Sequence, residues 1–221
     1  MHVSTRFLLS VALAAGGAAA AQEFVHVSRP LTDDEFYRAV ACAAPPGGEC
    51  RKPFLRWPEG VRGSLGVGLA SVTAGVPEGR RRLFEAAIEA AIAEVNALGS
   101  GIRLRLAEDR PAISVHVVDA PIGGAGNADL PVPDGAVPPL ARVALRAAGG
   151  TIREATIAVS AEAERGEIAS ILLEEIVQAL GLMTDLAGPG TRGSIFAEDA
   201  NTVTRLSGQD AMALRRHYTP N

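Results

Sequence analysis

The hydrophobic residues change period several times along the chain, and each change marks an element. Asp33-Asp34-Glu35-Phe36-Tyr37-Arg38-Ala39-Val40 is a short amphipathic stretch with Thr32 in front of it, which predicts a short helix capped by Thr32. Ser64–Val72 alternates apolar with small residues and predicts a strand packed closely on a neighbour. From Pro77 the spacing becomes helical. Phe84, Ile88, Ala91, Ile92 and Val95 share one face, and Gly99 ends the helix. Ile102–Leu106 and Ile113–Val118 alternate as strands, and Arg142–Arg146 is a shorter candidate. Ile152–Ser160 alternates again in its second half. A second long helix follows, with Ser160 as candidate cap or Gly166 as a later start, and Gly181 as its stop. A last helix runs from Ser207, capped together with Asp210, to about Tyr218. Residues 119–139, rich in Gly, Pro and Asp, read as a surface loop.

This order predicts an α/β (α+β) fold, and 221 residues suffice for one domain with a full core. Residues 1–21 stand apart. Arg6, the apolar run from Phe7 and the small residues Ala19 and Ala21 match a signal peptide cut near Ala21. The apolar part is too short to span a bilayer comfortably. Export to the periplasm or the extracellular space is therefore expected, with no membrane span in the mature chain. Residues 22–63 read as a leader lying over a domain at 64–221. In an exported protein, Cys42 and Cys50, separated by Pro45-Pro46-Gly47-Gly48, are expected to form a disulfide. A loop this short contributes roughly 2–3 kcal/mol.

Residues 1–21 hold one arginine and no acid, so their removal takes the net charge from −4 to −5. An acidic surface argues against nucleic acid as a partner.

The candidate chemistry lies in Ile171-Leu-Leu-Glu174-Glu175-Ile-Val-Gln178-Ala-Leu-Gly181-Leu182. One reading is an ordinary amphipathic helix, with Glu164, Glu167, Ser170, Glu174 and Gln178 as its wet stripe. In the other, this segment resembles the active-site helix of metzincins, the matrixin-like branch above all, whose pattern is His-Glu-x-x-His-x-x-Gly-x-x-His. Glu174 and Gln178 then take the places of the first two zinc-binding histidines, and Glu175 that of the general base. Gly181 matches the turn glycine, and Thr184 takes the third ligand position with Asp185 beside it. Ser194-Ile195-Phe196 resembles the methionine turn with Phe196 in the methionine's place, and Leu206–Tyr218 resembles the closing helix. The run Glu-Glu-x-x-Gln-Ala-Leu-Gly-Leu with Asp185 and Ser-Ile-Phe is also similar to an exported bacterial family catalogued as domain-of-unknown-function family 2927, grouped with zincin-like peptidases. The resemblance implies a metzincin-like catalytic-domain fold, a mixed twisted sheet with an active-site-type helix and a C-terminal helix. It brings no established activity.

Zinc favours imidazole or thiolate ligands. Beyond residue 21 only His26, His116 and His217 remain, and none has the spacing of a zinc motif. His116 reads as a core or sheet-face residue, and His217 as a polar group suited to a helix end. Glu174, Gln178 and Asp185 offer oxygen donors, a thin set for a hard cation. No cofactor is expected, since zinc or another divalent cation is not supported by these ligands. Without a metal, Glu175 has nothing to activate, and its structural reading is an acid paired with an arginine such as Arg192. Three functions compete: a degenerate peptidase domain that binds a peptide or envelope protein along an edge strand at 152–160, a hydrolase with an oxygen-rich metal site, and a structural envelope protein.

Overall fold

The computed structural model describes residues 24–119, 140–198 and 202–219. The signal-peptide reading at 1–21 and the loop reading over 120–139 lie outside the described residues. Strand β1 (Phe24–His26) is followed by α1 (Asp33–Cys42), α2 (Glu59–Arg62), β2 (Leu65–Val72) and α3 (Glu78–Ala97). Then come β3 (Leu104–Leu106), β4 (Ile113–Val118), β5 (Ala141–Ala148), β6 (Thr151–Ser160), α4 (Ile168–Ala179), β7 (Asp185–Ala187) and α5 (Gly208–Tyr218).

Five strands form a mixed sheet in the order β3-β2-β4-β6-β5. β3, β2, β4 and β6 run parallel, and β5 returns antiparallel to β6. Helices α3 and α4 pack on each other and on this sheet. The strand face they cover is apolar, with Val67, Ile113, Val115, Ala155 and Ile157 buried. A second, two-stranded parallel sheet pairs β1 with β7.

The α/β class and most elements match the hydrophobic pattern. Several details differ. The strand at 152–160 is not an edge: β6 lies between β4 and β5, and the short candidate at 142–146 is the full edge strand β5. The strand expected over 102–106 keeps only Leu104–Leu106, and the buried Ile102 lies just before it. Ser160 does not cap α4. Its hydroxyl accepts from the N–H of Glu162 in a turn, and the helix begins after Gly166 at Ile168. Thr32 does cap α1, in a reciprocal box with Glu35.

Residues 24–63 do more than lie over the domain. Val25, Val27, Phe36, Tyr37, Val40 and Trp57 are in the same apolar core as the sheet and α4. α1 packs against α5. The disulfide joins Cys42 at the end of α1 to Cys50, with S–S 2.04 Å and Cα–Cα 5.1 Å.

Helix α4 is buried on nearly every side, so its last carbonyls cannot turn to water. Trp57 Nε1 donates to the carbonyl of Ala179 at 2.9 Å, and the Tyr218 hydroxyl donates to that of Leu180 at 2.6 Å. Each such bond contributes about 1 kcal/mol net, and an unpartnered buried carbonyl costs more. Gly181 then leaves the helix at φ 103°. A Cβ here would overlap the carbonyl oxygen of Leu55 and stand 2.9 Å from His217 Nε2. Only glycine suits both the dihedral and the close approach.

Gly181→Ala is therefore expected to lower stability by more than about 3 kcal/mol, through dihedral strain plus overlap. Gly193, at φ 88° with open space around it, isolates the dihedral part. Gly193→Ala should cost about 1–2 kcal/mol. Equilibrium urea unfolding of both variants checks this, and equal losses would mean that the approach to Leu55 carries no weight.

Candidate functional site

The helix expected to carry a wet stripe does not have one. Ser170 is 1% exposed and Gln178 6%, while Glu174 is only partly exposed. The Ser170 hydroxyl is turned back onto the carbonyl of Glu167 at 3.0 Å. The apolar residues of α4 occupy its remaining faces, so its polar groups must find partners inside the protein.

Gln178 finds one in Asp185. Its amide Nε2 donates to Asp185 Oδ1 at 2.6 Å, and both residues are buried. Asp185 is placed by β7, whose register sets it opposite Phe24 of β1. The leader segment thus positions one member of the site. Thr184, just before it, is 1% exposed, and its N–H donates to the carbonyl of Val40 in α1 at 3.2 Å. That backbone bond and burial hold Thr184 in the packing between α1 and β7.

Glu175 is 6% exposed, and its Oε2 has no hydrogen-bond partner. Burial pushes its carboxyl well above the ordinary 4.5, and the nearby Glu174 and Asp185 carboxylates push it further. No ion pair forms with Arg192, which is exposed. The pairing expected from sequence is replaced by desolvation among acids.

The donor set does not fit zinc. It comprises carboxylates, an amide already bonded to one of them and a buried threonine, with no imidazole or thiolate. Among the described residues no group of three or more His, Cys, Asp or Glu side chains is arranged to hold a metal ion.

Ser194 and Ile195 are tied to α5. Asp210 accepts from Ser194 Oγ at 2.6 Å and from the Ile195 N–H at 3.0 Å. Ser207 makes no side-chain cap, so the capping pair expected at Ser207 and Asp210 gives way to this cross-link. Burial raises the Asp210 carboxyl, and its two donors partly offset that. Phe196 is fully buried and meets Phe36 edge-on at 6.1 Å.

Arg56 and Trp57 escaped the sequence reading, which places Tyr37 only on a short helix. Arg56 donates to the Tyr37 hydroxyl at 2.8 Å and, through Nε, to the carbonyl of His217 at 2.8 Å. His217 bonds Tyr37 through Nδ1 at 3.2 Å and the carbonyl of Leu55 through Nε2 at 2.8 Å. Burial lowers its pKa to about 4, so it is neutral at pH 7 rather than a cation at a helix end. The one usable signal was Trp57, the chain's single tryptophan, set in a Pro-rich stretch. His116 lies half-buried on β4, and its Nδ1 meets Ser71 Oγ at 2.8 Å.

The raised carboxyl of Glu175 has a signed consequence. The folded state binds this proton more tightly than the unfolded chain, so the contribution is full below the unfolded value and is lost as pH rises toward the folded value. His217 acts oppositely, losing stability as pH falls from 6.5 through about 4. Glu175→Gln has no carboxyl proton to lose, so its stability relative to the wild type should rise as pH climbs above the ordinary carboxylate range. It should remove the wild type's decline as pH rises above the ordinary carboxylate value and leave the acid-side loss in place. Thermal unfolding across pH measures both, and a variant that tracks the wild type at every pH would show that Glu175 is not held protonated.

No curated protein matches the chain. The metallopeptidase resemblance therefore rests on the sequence motifs alone. A family model described as "Protein of unknown function (DUF2927)" matches residues 19–221, and the chain belongs to that family.

Proposed function

We propose that the protein is an exported, non-catalytic module that binds a peptide or an envelope protein, on a metallopeptidase-like frame whose zinc chemistry is gone. The observation that supports this is the Gln178–Asp185 hydrogen bond. At 2.6 Å and buried, it consumes two of the groups that would otherwise be ligands. Beside it Glu175 is enclosed and disposed to stay protonated. The helix that resembles a catalytic one is used for packing.

Strand β5 is the surface best suited to an extended partner. It is last in the sheet order, and among the described strands it pairs only with β6. Its outer backbone groups can add a further strand, with main-chain bonds supplying affinity. The rival reading keeps Glu175 as base and Glu174, Gln178 and Asp185 as ligands of a divalent cation.

Peptides selected from a random display library should slow hydrogen exchange of the Ala141–Ala148 amides by about tenfold or more. Untagged protein supplied with zinc should release no labelled fragments from casein. Fragment release that a chelator blocks and Glu175→Gln abolishes would replace the binding module with the hydrolase. Protection elsewhere than on β5 would move the binding surface.

A further inference from the structure

At the opposite edge of the sheet, α3 and the strands β2 and β3 enclose a pocket of about 420 Å³. That volume lies in the range of small-molecule sites. Its apolar surface comes from Leu69 and Leu106, with the buried Ile88 behind them. Leu106 is 49% exposed, more than any other large apolar side chain among the described residues. A side chain this apolar and this open gains by being covered.

The pocket depends on a close backbone crossing. A Cβ on Gly68 would overlap the carbonyl oxygen of Ala107, and one on Gly66 would stand 3.0 Å from the Ala107 Cβ. Glycine at both positions lets the chain after β3 lie directly on β2 and form the wall that carries Glu108.

The rim is acidic. Its one cation, Arg81, is already paired, with Nε donating to Glu85 Oε1 at 2.9 Å. Glu89 and Glu108 are exposed and have no ion-pair partner among the described residues. Two carboxylates thus remain uncompensated above an apolar floor. An anion would meet repulsion here, and a neutral apolar molecule would leave both charges unanswered. The complementary ligand has an aliphatic body and a cationic head.

We propose that this pocket binds a small aliphatic ammonium ion, with its alkyl chain on Leu69 and Leu106 and its ammonium group toward Glu89 and Glu108. The site is independent of the acids on α4 and of edge strand β5.

Hexylamine is the probe, with hexanoate and hexan-1-ol as controls of the same length. Calorimetric titration of the full chain should give a dissociation constant in the millimolar range or tighter for hexylamine, weakening as salt is added. Hexanoate and hexan-1-ol should bind at least about tenfold more weakly. Amide shifts on adding hexylamine should centre on Ile88, Leu106 and Ala107. The double variant Glu89→Gln/Glu108→Gln should lose about tenfold in affinity with its unfolding temperature unchanged. Leu106→Ser, at a surface position, should weaken binding separately. The proposal is overturned if hexylamine does not bind at about 10 mM, a level that reaches weak millimolar sites. Equal binding of hexan-1-ol, unchanged affinity in the double variant, or shifts centred on Glu174–Asp185 would overturn it as well.

Discussion

A buried helix must end somewhere, and its last carbonyls must be bonded where it ends. Helix α4 is enclosed by the sheet, by α3 and by the segment before β2, so water cannot serve its C-terminal end. Trp57 and Tyr218 serve it instead, from positions far apart in the chain. These two bonds bring the early segment, α4 and α5 to one point. Arg62 reinforces it, donating to the carbonyl of Trp57 at 2.8 Å and lying over the Tyr218 ring at 5.2 Å. Gly181 lets the chain leave without displacing Leu55.

The acids on α4 take their character from this enclosure. Buried away from solvent, Gln178 and Asp185 bond each other, and desolvation raises the Glu175 carboxyl above its ordinary range. The same residues on an exposed helix would be ordinary solvated side chains. In the binding reading proposed above, the enclosed acids serve packing and the contact falls on edge strand β5, which among the described strands pairs only with β6.

The two edges of the main sheet offer different chemistry. β5 presents backbone groups along eight residues, suited to an extended chain. β3 is only three residues long and is flanked by α3, so that edge forms a pocket with side-chain character. The short strand leaves Leu106 open and sets Glu108 on the turn that follows.

Periodicity alone was sufficient for the α/β class, for α3, for β2 and β4, and for the Thr32 cap, because these depend on local spacing and on backbone groups a few residues apart. The two cysteines and their Pro-Gly turn likewise announced the disulfide. Glu174, Glu175, Gln178 and Asp185 were legible as a group, since a helical turn and a tight reversal keep them close. Their state was not legible. The wet stripe at Ser170 and Gln178 was read from one helix, whereas burial is set by everything packed around it. Asp210 bonds Ser194 and Ile195 instead of capping its own helix, and no local pattern encodes that choice. β6 became interior because β5 folded back onto it. Sequence determined which segments could be helix or strand and which side chains could carry charge. Tertiary structure decided which of those charges met water, because desolvation depends on neighbours that the chain brings from more than a hundred residues away.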